Sequence, residues 1–262
     1  MITAAAQASI MSPAPRLSAL TWVNIFSRTL AIQGSWNYET LIGNGIGFCV
    51  EPALRMLPGG VKGPSFKTAM TRQSAYFNAH PYFASVAVGA LARVELSGVP
   101  APHIERFRTA LTGPLGSVGD RLVWAGWLPF CSLIALTCFG LGMAPVPVLV
   151  TFLALYNAGH LALRVWGLHV GWTRGLGVAS ALGNPVLRQG PAHLARAAAA
   201  TAGVAVPLTA ARLLGHHVAL LGVVLGAAAI AAVLLVRLQG RVEGYKVALV
   251  LIALFALVSV AR

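Results

Sequence analysis

Residues 122–163 contain no Asp, Glu, Lys or Arg, 42 positions in succession. A helix needs roughly 20 apolar residues to cross the hydrocarbon of a bilayer, so this stretch has room for two crossings. Gly140-Leu-Gly-Met-Ala-Pro-Val-Pro147 interrupts it near the middle. The pattern predicts a helical hairpin over 122–141 and 146–163. Arg121 and Arg164 flank the hairpin, and its turn is uncharged. The positive-inside rule therefore places the flanks in the cytoplasm and the turn outside. Composition agrees with a membrane protein: 57% of residues are apolar and 10% charged, against about 25% charged in a soluble domain.

The formal net charge is +13. Such a balance could serve nucleic-acid binding, but the basic residues stand singly or in loose groups between apolar runs. That spacing is the signature of cytoplasmic loops, and no nucleic-acid partner is expected. Cys49, Cys131 and Cys138 give no even disulfide framework and read as small apolar fillers. The first fifteen residues lack Lys and Arg, read as without an export signal, and belong to an expected flexible tail over 1–24.

Residues 213–236 and 247–261 read as further spans. Arg237, Arg241 and Lys246 lie between them, so that loop is expected to be cytoplasmic. An odd number of crossings must then precede residue 213. The best match is 197–211, which holds Pro207 and would leave Arg212 near the outer face, against the charge rule. The N-terminal half is less apolar. Gly43-x-Gly45-x-Gly47 and Pro52 break residues 17–57, and residues 74–92 begin with polar sequence. These segments predict re-entrant or broken helices, since non-helical backbone survives at membrane depth only where protein or an aqueous cavity surrounds it. The fold class expected is an all-α integral membrane protein, multi-pass.

Four polar clusters interrupt the apolar sequence. In Gln33-Gly-Ser-Trp-Asn-Tyr-Glu39, a helix would put Gln33, Asn37 and Thr40 on one face beside Trp36. Amides, the Glu39 carboxylate and an aromatic ring are the parts that grip a sugar, and they equally make an interfacial belt or polar contacts between helices. Asn78-Ala-His80-Pro81 reads as a cap on a new helix or as a helix break at a pore. Asp120, the single Asp of the chain, follows Gly113, Gly116 and Gly119. It is either an N-cap beside a snorkelling Arg121 or a functional carboxylate. Asn157, His160 and Arg164 share a helix face, as interhelical bonds or as the wall of a polar crevice. There is no zinc spacing of Cys or His, no Gly-x-Ser-x-Gly elbow, and only six acids in the chain. No metal, cofactor or catalytic set is expected.

Taken together, the strings Leu30-Ala-Ile-Gln-Gly-Ser-Trp-Asn-Tyr-Glu39, Tyr76-Phe-Asn-Ala-His-Pro-Tyr82, Leu111-Thr-Gly-Pro-Leu-Gly-Ser-Val-Gly-Asp120 and Asn157-Ala-Gly-His-Leu-Ala-Leu-Arg164, with Gly167-Leu-His-Val-Gly-Trp172, resemble the IID membrane component of the mannose/fructose/sorbose-type sugar phosphotransferase system. The resemblance covers about residues 25–177, which form the expected central region, with 178–262 as C-terminal membrane helices. It implies a subunit of the bacterial cytoplasmic (inner) membrane that carries no phosphohistidine and is non-catalytic alone. Such a subunit pairs with a IIC-type membrane subunit in a hetero-oligomer that binds and moves a hexose-class sugar. Soluble IIA and IIB subunits supply the phosphate. The other reading is a scaffold or regulatory subunit that keeps the fold without transporting.

Overall fold

The computed structural model describes residues 12–214, and beyond them only 222–223, 226–227, 229–230 and 233. The expected spans at 213–236 and 247–261 fall almost wholly outside the described residues. Among the described residues the regular secondary structure is helical, joined by turns and loops that carry two isolated bridges.

Four short helices come first. α1 (Ala19–Leu30) starts inside the span expected to be a tail, because Ser18 caps it by accepting from the Thr21 N–H at 3.1 Å. α2 (Gly43–Leu54), α3 (Pro64–Ser74) and α4 (Ala84–Leu96) follow. None exceeds 13 residues, about 20 Å at 1.5 Å per residue, against roughly 30 Å of hydrocarbon. The expected breaks are thus present. One of them lies elsewhere than the glycines imply: Gly43, Gly45 and Gly47 sit inside α2. They are contact points, not a helix break. A Cβ on Gly43 would fall 2.0 Å from the Ala75 carbonyl oxygen, and one on Gly45 1.9 Å from that of Ile32. α2 is thereby clamped between the end of α3 and the turn after α1.

Then the helices lengthen. α5 (Ala101–Gly119) passes through a π-helical stretch, Asp120–Trp127, into α6 (Leu128–Gly140). α7 covers Pro145–Arg174, a short turn and α8 (Ala179–Leu182) follow, and α9 covers Pro185–Leu214. Three helical segments among the described residues are long and apolar enough to cross a membrane: Ala101–Gly140, Pro145–Leu182 and Pro185–Leu214. The hairpin is present, but its arms outrun the uncharged stretch at both ends. Charge marks where a helix leaves lipid, not where it stops. Its turn is made by Gly142 at φ 100°, a left-handed conformation that glycine adopts without Cβ strain.

The chain forms two compact units, Met1–Ser132 with Leu149–Ala199, and Leu133–Val148 with Ala200–Arg262. In the first, Ile46, Val50, Phe77, Phe83, Val86 and Leu91 are buried in one core. α4 and α7 meet there through small residues. A Cβ on Gly89 would lie 2.4 Å from the Leu168 carbonyl oxygen, and one on Gly171 2.2 Å from that of Val86, the close approach that small residues allow between membrane helices. Leu122 faces Gly190 and Gly126 faces Leu194, so α9 runs in the same direction as the 120–127 stretch.

In the second unit Gly140 meets Leu208. Arg212 donates to the carbonyls of Phe139 and Met143, with its guanidinium 4.1 Å over the Phe139 ring. The crossing expected over 197–211 is therefore the C-terminal part of α9, ending beside the hairpin turn. The charge-rule conflict at Arg212 has a physical answer: the cation is engaged with carbonyls at the negative C-terminal end of α6.

Candidate functional site

The first two polar clusters are joined by a short backbone ladder. Phe77 donates its N–H to the Thr40 carbonyl, and Ile42 donates to the Phe77 carbonyl, both at 3.1 Å. Leu41 sits between them at φ 52°, a left-handed conformation uncommon for a non-glycine residue. Residues 31–41 form turns instead of the helix read from the sequence. The expected shared face of Gln33, Asn37 and Thr40 does not form. Asn37 instead closes the turn, its Oδ1 accepting from the N–H groups of Glu39 at 2.9 Å and Thr40 at 2.8 Å, the local bonding typical of Asn. Gln33 and Glu39 are exposed. Trp36 is 45% exposed and packs edge-on against Tyr38 at 4.8 Å.

The 75–80 segment is held from behind by Arg108, which lies on α5 and is 5% exposed. Arg108 Nε donates to Gln73 Oε1 at 3.0 Å, and Nη2 donates to the carbonyls of Gln73 and Ala75 at 2.9 and 3.0 Å. Gln73 Nε2 donates to Glu95 Oε1 at 2.7 Å, and Glu95 also receives a two-pronged bond from Arg72 at 2.8 and 2.9 Å. This buried network was missed in the sequence. The available signal was Glu95, a rare acid at the end of an apolar run.

On its outer side the same segment faces α5 across a cleft of about 370 Å³. Tyr76, Asn78, Ala79, His80 and Pro81 form one wall; Thr112, Gly113, Gly116, Ser117 and Asp120 form the other. Neither Asn78 nor His80 caps a helix, because 81–83 form a turn and α4 begins without a side-chain cap. His80 is 2% exposed. Its Nδ1 accepts from the Tyr82 N–H at 3.2 Å, and its Nε2 has no hydrogen-bond partner. Burial, with the Arg164 charge adding, pushes its pKa down to about 4. Asp120 is no N-cap either: it continues the α5 helix at φ −61°, ψ −44°. It is exposed and forms no ion pair with Arg121, whose Nε donates to the Ser117 carbonyl.

The fourth cluster gathers around Tyr82, which the sequence did not single out. His160 stacks on the Tyr82 ring at 4.8 Å, and the Tyr82 and Tyr156 hydroxyls are 2.8 Å apart. The face-sharing of Asn157 and His160 is realised as a 2.8 Å hydrogen bond. Arg164 is 4% exposed. It donates to the carbonyls of Thr29 and Pro81 and lies 4.8 Å over the Tyr82 ring, so it is an interhelical tether. The structure thus brings Asn78, His80 and Asp120 together, and links His80 through Tyr82 (rings 5.0 Å apart) to His160 and Arg164. Gln33, Trp36 and Glu39 stay apart on the turn. Cys49 and Cys131 are buried, and burial pushes the Cys49 thiol up to about 12.

A family model, that of the PTS system mannose/fructose/sorbose family IID component, matches residues 16–206. The PTS system mannose-specific EIID component of Escherichia coli (strain K12) is 28% identical over 170 residues, 63% of this chain and 59% of that protein. The Fructose permease IID component of Bacillus subtilis (strain 168) is 27% identical over 171 residues, 63% of this chain and 61% of that protein. The matches thus span less than two thirds of these relatives' length. Among solved structures, one described as the mannose transporter ManYZ with microcin E492 is similar with a TM-score of 0.56, at 22% identity, over 94% of this chain and 96% of that one. Another, described as a membrane protein, has a TM-score of 0.63 at 24% identity, over 72% and 70%. At these identities the likeness is one of fold.

Proposed function

The chain belongs to the IID component family of the mannose/fructose/sorbose phosphotransferase system, and from that premise we propose that it is the IID-type subunit of a sugar-translocating permease. It is a multi-pass protein of the bacterial cytoplasmic membrane. In this reading it pairs with a IIC-type subunit, and the two together bind a hexose-class sugar and move it to the cytoplasmic face, where a IIB subunit phosphorylates it. The chain's own part is to bind and to move. The observation that supports this most directly is the cleft. Asn78, His80 and Asp120, from motifs far apart in the chain, line one concavity with hydrogen-bonding groups suited to hydroxyls.

The test is uptake and phosphorylation of mannose, fructose and sorbose by membranes holding the complete system, with and without this chain. Loss of uptake on its removal, and recovery of a IIC-type protein with it on purification, are the expected results. Unchanged uptake without the chain would overturn the reading.

A further inference from the structure

We propose that the apolar pocket between α7, α9 and the 120–127 stretch holds an anionic phospholipid of the inner leaflet, with one acyl chain inside the pocket and the phosphate on Arg121 and Arg188. The inference does not depend on the sugar reading. It needs only that these helices cross the membrane.

The pocket lies wholly within the first unit and has a volume of about 300 Å³. Leu122 and Trp127 form one wall, Leu163 on α7 a second, and Leu187, Gly190 and Leu194 on α9 a third. All three walls belong to segments long and apolar enough to cross a membrane. The rings of Tyr82 and His160 join that of Trp127 in the lining, and their polar atoms are engaged within the protein. The Tyr82 hydroxyl is 2.8 Å from that of Tyr156, Trp127 Nε1 donates to the Tyr156 carbonyl at 3.4 Å, and His160 Nε2 is 2.8 Å from Asn157 Oδ1. His160 Nδ1 is buried without a partner. A polar solute would surrender hydrogen bonds on entering such a space; a hydrocarbon chain surrenders none. A partner helix does not fit, because one turn, ~10 Å across and ~5.4 Å high, displaces roughly 400 Å³.

Charge at one end selects the lipid. A Cβ on Gly190 would lie 3.0 Å from Leu122 Cδ1, so α9 and the 120–127 stretch are side by side there. Arg121 precedes Leu122 and Arg188 follows Leu187, which brings two exposed cations to the same end of the pocket. Arg121 Nε donates to the Ser117 carbonyl; its two Nη nitrogens and the Arg188 guanidinium have no partner among the described residues. α9 begins at Pro185, so its positive dipole end lies at this level too. No Asp or Glu occurs from 121 to 242, and Asp120 lines the cleft of the 76–81 segment instead. With no carboxylate to receive an ammonium headgroup, a zwitterionic lipid is the poorer match. Arg121 is the last charge before the 42 uncharged residues, so it stands where the helix enters hydrocarbon, and the charge rule puts that end on the cytoplasmic side. Guanidinium groups bind phosphate through paired N–H donors, and basic sites between membrane helices on the cytoplasmic side take anionic headgroups.

The experiment offers the full chain, with its IIC-type subunit where that co-purifies, equal amounts of dioleoyl phosphatidylglycerol and dioleoyl phosphatidylcholine in mild detergent. Native mass spectrometry reads the lipid bound per chain. The expected result is one retained phosphatidylglycerol, preferred about tenfold or more, as two cations beside a headgroup give. The double variant Arg121→Gln with Arg188→Gln should bring the preference close to unity. The control, Lys62→Gln with Arg174→Gln, removes the same charge from exposed residues elsewhere and should keep it. Leu187→Trp fills the pocket and should lower retention of either lipid about tenfold. Equal binding of the two lipids by the wild type overturns the proposal, as does a control that abolishes the preference equally. Unchanged retention in a monodisperse Leu187→Trp sample shows that the chain is not in the pocket. Release of the IIC-type subunit by Leu187→Trp, from a wild-type complex that retains no lipid, makes the pocket a subunit contact and overturns the lipid site while the permease reading stands. The two arginines are exposed, so their replacement decides the question even where Leu187→Trp does not fold.

Discussion

Gly119 and His80 touch so closely that a β-carbon on the glycine would lie 2.2 Å from the His80 Cβ and 3.1 Å from Phe83 Cδ2. This contact joins the Gly-Asp end of α5 to the Asn-Ala-His-Pro segment. Two glycines on one helix should then behave oppositely. Gly119→Ala forces a methyl group into a packed wall, a change that costs about 1–3 kcal/mol. Gly116→Ala meets open space and should gain up to about 1 kcal/mol from helix propensity. Thermal unfolding of the purified complex measures both. Equal shifts for the two variants would mean that the close approach is absent.

His80 should make stability depend on pH. Its folded pKa, about 4, lies below the roughly 6.5 of an unfolded histidine, so the neutral ring is the folded form. The unfolded chain therefore takes up the proton first as pH falls. Stability is full above about pH 6.5, declines between there and about 4, and is flat below. The decline is on the order of 3 kcal/mol for a shift of this size. Comparing unfolding temperatures at pH 7 and 5 for the wild type and His80→Gln should show a steeper loss in the wild type. Parallel curves would exclude His80 as the titrating group.

Arg164 ties α7 to the last turn of α1 through the Thr29 carbonyl and to the cleft wall through that of Pro81. Arg164→Lys keeps the charge but loses the planar fork and the stacking on Tyr82. A loss of about 1–3 kcal/mol is expected, read as a lower unfolding temperature and a lower yield. A lysine variant as stable as the wild type would show that charge alone suffices.

The hairpin turn should be external. With Cys49, Cys131 and Cys138 replaced, an impermeant thiol reagent added to intact cells should label Ala144→Cys and spare Arg174→Cys. Arg212 bonds carbonyls on both sides of the turn, so Leu214→Cys should label with Ala144→Cys. The reverse pattern would invert the topology.

The fold class and the hairpin were legible in the chain because hydropathy is a local quantity. Forty-two residues without a charge admit few folds in any surroundings. Four motifs in sequence order were likewise enough to suggest the family. Helix ends were less legible: α5 carries Glu105, Arg106 and Arg108 yet continues unbroken into the apolar stretch, since charged residues join a helix readily and stop only its passage through lipid.

The sequence by itself determined that the protein is a helical membrane protein and which polar residues stand out from its apolar background. Only the tertiary structure decided which of those residues meet. Asp120 faces Asn78 and His80 because Gly119 lets α5 lie against that segment. Arg108, Gln73 and Glu95 form a buried network because the end of α3 falls between α4 and α5. The three glycines of α2 read as a helix break but are sites of contact with Ala75, Ile32 and Ser74. Each outcome depends on which faces of distant helices pack together. That choice is made by the summed contacts of the whole core, and no local window of sequence contains it.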